Sequence, residues 1–150
     1  MKTELVGNWM SEGIITVDTT TTLPEAHSLM KAKNIRRLPV VDKKKRIVGI
    51  ISLGDIRAAE ASPATSLSIW ELNYLLAKLK VKDFMTENPV TVTPETTIGE
   101  AANLMLAHKI SGLPVVNADY DLVGIITESD IFEMIVLHEW EALLPVVETI

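Results

Sequence analysis

The chain has no cysteine. That absence excludes a disulfide framework, cysteine-ligated zinc, iron–sulfur clusters and thiol catalysis together, and it points to a reducing, cytoplasmic setting. No apolar run approaches the roughly 20 residues that cross a bilayer. The opening Met1-Lys2-Thr3-Glu4-Leu5 also lacks the charged start, apolar segment and small-residue cleavage site of an export signal, so no membrane partner is expected. Basic excess is missing too. Formal net charge is −6 and the pI is about 5.0, the wrong sign for general attraction to phosphate backbones, so no nucleic-acid partner is expected. The one basic run, Lys43-Lys44-Lys45-Arg46, lies between two apolar strands without interleaved aromatics and reads as a solvated hairpin turn.

Catalytic constellations are equally scarce. No Glu-x-x-His, His-x-His or nucleophile elbow occurs, and His27, His108 and His138 stand far apart in sequence. His27 and His108 fall inside helices, as surface or partly buried side chains rather than ligands. Neither an enzyme nor a metal site is expected, and Glu25 and Glu100 read as first-turn residues at helix N-termini.

What is present is a core-forming chain and a repeat. With 150 residues, 47% of them hydrophobic, the chain is long enough to remove about 70% of its unfolded surface from water. Slid against itself by 75 positions, it gives 22 identical pairs without a gap between Met10/Met85 and Ile56/Ile131. They include Thr16/Thr91, Glu25/Glu100, Leu38/Leu113, Pro39/Pro114, Gly49/Gly124 and Asp55/Asp130. Such a match marks a tandem duplication.

Each copy reads alike. Ile14 to Val17 and Pro89 to Val92 are short extended segments. Helices follow, capped by Thr22 with Pro24 in the first turn, and by Thr96 or Thr97. Leu38-Pro39-Val40-Val41 and Leu113-Pro114-Val115-Val116 are strands, joined through turns at 42–46 and 117–121 to Ile47-Val48-Gly49-Ile50-Ile51 and Leu122-Val123-Gly124-Ile125-Ile126. These nearly unbroken apolar runs predict burial on both faces. Asp55 and Asp130 are expected to cap second helices. The first of these breaks near Ser62-Pro63, a further helix runs from Leu67 to Leu79, and the last helix breaks at Pro145. Three parts are expected: residues 1–62 hold the first repeat with its N-terminal segment, 63–80 a helical linker, and 81–150 the second repeat with a C-terminal helix.

The most informative stretches are Gly124-Ile125-Ile126-Thr127-Glu128-Ser129-Asp130 and its echo Gly49-Ile50-Ile51-Ser52-Leu53-Gly54-Asp55. Each is a strand ending at a hydroxyl residue, with an aspartate three positions on. Such a carboxylate can accept both hydroxyl protons of a ribose, and hydroxyl and free helix N–H groups suit phosphate oxygens. From spacing alone, Ser/Thr-x-x-Asp reads first as a plain helix cap.

Strand, helix, Leu-Pro-Val-Val strand, Val-Gly-Ile-Ile strand and Ser/Thr-x-x-Asp helix start, taken twice, resemble the CBS (cystathionine-β-synthase) domain pair, or Bateman module, over roughly residues 5 to 140. The resemblance implies an α+β fold, an α/β-type sandwich of two tandem β-α-β-β-α repeats related by pseudo-two-fold symmetry. It also implies a regulatory role and adenosine-containing ligands in a cleft between the repeats: AMP, ADP or ATP first, then S-adenosylmethionine or NAD, with magnesium only if linked to ATP.

One implied site joins Ile15, Thr16, Ile35, Arg36 and Arg37 to Thr127 and Asp130. The other joins Val90, Thr91, Ile110, Ser111 and Gly112 to Ser52 and Asp55. Ile15 or Ile35, and Val90 or Ile110, would flank the adenine. Arg36 and Arg37 stand where the second copy has Ser111 and Gly112, so the first site is expected to take the more phosphorylated ligand; a surface pair or salt bridge is the other reading of these arginines. The resemblance further implies a homodimer, a disc of four repeats joined through the helices at Ile56 to Ala61 and Ile131 to Leu137. Trp70, Tyr74 and Trp140 either pack in the core or place at least one of their number at a subunit interface, the preferred reading; an unknown effector protein is the further partner expected. The rival function is a ligand-free scaffold docking a partner enzyme or transporter.

Overall fold

The computed structural model describes residues 4–61 and 68–148, with side chains through Glu139. The expected break at Ser62-Pro63, the position of Leu67 and the side chain of Trp140 lie outside the described residues. In chain order the elements are α1 (Val6–Trp9), β1 (Val17–Asp18), α2 (Leu23–Lys33), β2 (Arg37–Val41), β3 (Ile47–Ser52), α3 (Leu53–Ala61), α4 (Ile69–Leu76), a 3-10 turn (Val81–Asp83), β4 (Thr86–Glu87), α5 (Ile98–His108), β5 (Gly112–Val116), β6 (Leu122–Thr127) and α6 (Glu128–Glu148).

Local chemistry sets the helix starts. Thr22 caps α2 and Thr97 caps α5, each in a capping box: the hydroxyl accepts from the N–H three residues on, and Glu25 or Glu100 accepts from the cap residue's own N–H. Of the two candidates at the second helix, Thr97 is therefore the cap, while Thr96 accepts from the N–H of Thr93 at 3.1 Å. Both helices end on a left-handed residue, Asn34 at φ 54° and Lys109 at φ 55°. Pro145 does not end α6, which continues to Glu148. A proline removes one donor, but its φ remains compatible with the helix.

The chain divides into two compact units, Ile15–Pro89 and Met1–Ile14 with Val90–Ile150. The segment ahead of each repeat thus packs with the other repeat's unit. In the first unit the sheet runs β1-β2-β3-β4, with β1 parallel to β2 and the other pairs antiparallel. The second unit has the same order in reduced form: β5 and β6 form a ladder, flanked by single bridges from Val92 to Val115 and from Ser11 to Ile125. The expected strands at Ile14 to Val17 and Pro89 to Val92 shrink accordingly to Val17–Asp18 and one bridging residue, because only these residues align with β2 and β5.

Each unit has its own core. Leu38, Val40, Ile51 and Ile56 anchor one, with Leu113, Val115, Ile126 and Met134 in the other. Fully burying such side chains stabilises by about 1.5–3 kcal/mol each. β5 is buried throughout, whereas β3 alternates between buried and half-buried residues and β6 buries only Gly124 and Ile126, so two-faced burial holds for β5 and not for β3 or β6. Gly49 and Gly124 are required by close approach. A Cβ on Gly49 would lie 2.5 Å from Met85 Sδ and 3.0 Å from the Thr86 carbonyl oxygen; on Gly124, 2.5 Å from Met10 Sδ and 3.2 Å from that of Ser11.

The 42–46 loop is the expected turn. Asp42 Oδ1 accepts from the N–H groups of Lys44 (2.8 Å) and Arg46 (3.0 Å), leaving Lys43 to Arg46 exposed. Asn117 Oδ1 does the same for Asp119 (3.0 Å) and Asp121 (2.9 Å).

Candidate ligand-binding turns

In the first repeat β3 hands over to α3 at Ser52. The Ser52 N–H donates to Asp55 Oδ2 at 2.8 Å, and the Asp55 N–H donates to Ser52 Oγ at 3.1 Å. Ser52 is therefore the cap and Asp55 the third helical residue, rather than the aspartate being the cap. In the second repeat the Thr127 N–H donates to Asp130 Oδ2 at 2.8 Å, and the Thr127 hydroxyl donates to the same oxygen at 3.1 Å. Both aspartates are half-buried in this arrangement.

The segment after the preceding helix lies beside each turn. The Leu53 N–H donates to the Arg36 carbonyl at 2.7 Å, and Arg37 pairs with Ser52 across the β2–β3 ladder. In the second repeat Glu128 donates to Ser111 at 3.0 Å, and Gly112 pairs with Thr127. The Ile35 N–H donates to the Met30 carbonyl at 2.9 Å and the Ile110 N–H to that of Met105 at 3.0 Å, which sets both isoleucines as the chain leaves its helix. Because β1 runs parallel to β2 with Val17 opposite Val40, Thr16 and Ile15 continue toward the Arg37 end of that strand. Thr91 and Val90 continue likewise from Val92 toward Gly112.

Each repeat thus gathers its own share at one end of its sheet. Arg36, exposed, and Arg37, half-buried, lie beside Ser52 and Asp55; half-buried Ser111 and buried Gly112 lie beside Thr127 and Asp130. Ile15 and Ile35 pack partly on the first core, and Val90 and Ile110 on the second.

The arrangement offers hydroxyls, carboxylate oxygens and backbone donors at a helix N-terminus, groups that hydrogen-bond to polyols and phosphate oxygens. No group of three or more His, Asp and Glu side chains among the described residues is placed to hold a metal ion. Among the described residues no helix is long and apolar enough to cross a membrane.

Two contacts had no local signal in the sequence. His27 Nδ1 lies 3.3 Å from Glu60 Oε1, joining α2 to α3. His138 Nε2 lies 3.0 Å from Glu4 Oε1, across 134 positions of chain, and the Trp9 indole N–H donates to Glu4 Oε2 at 2.7 Å. That indole bond, together with His138, holds the Glu4 carboxyl below the usual carboxylate range.

Fold and turns together define a protein of two duplicated α+β modules, each presenting a hydroxyl–aspartate turn at the end of its central hairpin. The CBS domain model matches residues 6–62 and 81–137, and the chain belongs to the CBS domain family. Over 132 residues it is 36% identical to a CBS domain-containing protein of Dictyostelium discoideum, covering 88% of this chain and 91% of that one. It is also 37% identical over 119 residues to inosine-5'-monophosphate dehydrogenase of Korarchaeum cryptofilum, covering 79% of this chain and 22% of the enzyme. The chain spans only about a fifth of that relative's length, and CBS sequence therefore occurs within enzymes as well.

Among solved structures, the CBS domain pair of protein MJ0100, in complex with 5'-methylthioadenosine and S-adenosyl-L-methionine, superposes with TM-score 0.75 at 30% identity, covering 87% of this chain and 94% of that one. CBSX2, which occurs in Arabidopsis thaliana, was solved in complex with AMP and superposes with TM-score 0.76 at 29% identity, covering 91% and 98%.

Proposed function

We propose that this protein is a non-catalytic regulatory sensor of adenosine-containing ligands, with AMP, ADP and ATP as first candidates. The observation that carries the reading is the pair of hydroxyl–aspartate turns, Ser52 with Asp55 and Thr127 with Asp130, each beside a segment leaving its helix. The adenosine ligands of MJ0100 and CBSX2 support it. Asp55 and Asp130 hold ribose hydroxyls, and hydroxyl, backbone and arginine donors meet phosphate.

The sites combine the repeats as the family resemblance implies. Ile15, Thr16, Ile35, Arg36 and Arg37 work with Thr127 and Asp130, and Val90, Thr91, Ile110, Ser111 and Gly112 with Ser52 and Asp55. The arginine-bearing site takes the more phosphorylated ligand. S-adenosylmethionine or NAD would occupy the same sort of cleft as second candidates, and magnesium enters only with ATP. Ligand shifts the protein between arrangements only as far as its affinities for them differ.

The protein acts in the cytoplasm as a homodimer of four repeats, regulating an effector protein. Phe132 (61% exposed), Val136 (64%) and Leu137 (42%) on α6 support the self-association. Light scattering at micromolar concentration gives a dimer mass, and a monomer mass refutes this part.

Thermal-shift titration tests the function: a ligand at about 100 times its dissociation constant adds about 2.7 kcal/mol of stability. Stabilisation by AMP, ADP or ATP supports the sensor, and a blank across these, S-adenosylmethionine and NADH overturns it. The second reading, a ligand-free scaffold, is favoured by α4, where Ile69 (69%), Trp70 (82%) and Tyr74 (65%) are exposed.

A further inference from the structure

The segment from Glu4 to Ser11 lies against the second repeat through backbone and side-chain bonds. Ile98 donates to the Glu4 carbonyl (2.9 Å), Val6 to that of Thr96 (2.8 Å) and Gly7 to that of Pro94 (2.9 Å). Ser11 and Ile125 exchange bonds of 2.9 and 3.1 Å, two residues before Thr127. Val6 is fully buried and Met10 covers Gly124. Glu4 then fastens the segment to α6 through His138, whose ring lies 6.1 Å from that of Trp9.

We propose that residues 4–11 form a pH-sensitive strap, gripping the second repeat most firmly when His138 is protonated opposite ionised Glu4. A charge-assisted hydrogen bond is roughly twice as strong as a neutral one. When the imidazole loses its proton, Nε2–H can still donate to Glu4, but the ion pair is gone and the grip loosens. Both partners are part-exposed, His138 at 35% and Glu4 at 23%, so water reduces the effect without removing it.

Among the described residues the other charges near this contact do not replace either partner, and the N-terminal amine adds a smaller favourable charge to Glu4. α5 contributes Glu100, committed to the Thr97 cap, and exposed His108; β6 has no charged residue; on α6 itself Glu133 and Glu139 are exposed. The first repeat has no counterpart, since Leu79 and Phe84 stand at the positions matching Glu4 and Trp9. Because Ser11 lines the edge of β6, the strap also buttresses the strand that ends in Thr127.

Amide exchange of Ser11 and Ile125, followed by NMR at about pH 5.5 and pH 8 and corrected for intrinsic rates, tests the strap without any ligand. Protection is expected to fall about 2- to 5-fold at the higher pH, as charge assistance is lost from a part-exposed bond. Glu4→Gln keeps an acceptor for Trp9 and removes the charge, so its ratio between the two pH values is expected to be close to one. His138→Gln gives the same answer from the other partner if Glu4→Gln does not fold. The Leu113 amide, deep in β5, reports global stability and should not follow the same pH change. An unchanged ratio in the native protein, or the same ratio in native protein and a folded variant, overturns the strap.

Discussion

Leu38 and Leu113, Val40 and Val115, and Ile51 and Ile126 are matched pairs of the duplication, and all six are fully buried. The edges of the two repeats have diverged. Arg36 and Arg37 face Ser111 and Gly112 in the alignment, the lysine-rich turn faces Asp119 and Asp121, and Leu79 faces Glu4. The interior is held by packing, where even a methylene changes the fit, and the rims are free to take up different ligands and controls. Even the shared turn differs: Ser52 Oγ accepts from Asp55, whereas the Thr127 hydroxyl donates to Asp130.

The largest effects should be equal between repeats. Leu38→Ala and Leu113→Ala are each expected to cost about 2–5 kcal/mol in urea unfolding, and a marked inequality would break the picture of matched cores. Next come Gly49→Val and Gly124→Val, each expected to cost about 1–3 kcal/mol by overpacking. Shortening Met85 or Met10 in the respective variant should restore part of the loss in thermal melts. Thr22→Ala and Thr97→Ala should each cost about 1 kcal/mol, since both remove a capping box.

The smallest effect sharpens the contrast between repeats. The folded Glu4 carboxyl lies below its ordinary range, chiefly through the Trp9 indole, so its stabilisation is present above about pH 4.3 and fades as pH falls through the folded value. The melting difference between native protein and Glu4→Gln should therefore be visible near pH 6 and shrink as pH falls below the ordinary carboxylate range. Leu79→Gln, at the matching position of the first repeat, should show no such acid dependence.

Sequence reasoning reached the architecture because duplication doubles every signal: Thr22 and Thr97, or the two Leu-Pro-Val-Val strands, support each other. The two candidate turns were legible as motifs, but their hydrogen bonding was not. A hydroxyl three residues before an acid signals a capping box, which makes the hydroxyl the cap and leaves the aspartate in the first turn. Two-faced burial was overestimated for β3 and β6 because apolar composition does not reveal which face is covered. The contact of Glu4 with Trp9 and His138 had no sequence signal, because a contact across 134 residues leaves no periodic trace. The backbone tie between Arg36 and Leu53 escaped for a similar reason: any residue can supply a carbonyl.

The pairing of Arg36 decides the account. Its backbone adjoins Ser52 and Asp55 in its own repeat, whereas the proposed site joins its side chain to Asp130. Calorimetric titration of ATP into native protein, Arg36→Ala, Asp130→Ala, Asp55→Ala and the two double variants measures the coupling directly. The account predicts that Arg36→Ala and Asp130→Ala each weaken ATP about 10-fold or more and are not additive together, while Asp55→Ala leaves that site intact. Equal loss in Arg36→Ala and Asp55→Ala, with coupling between those two instead, would contradict it.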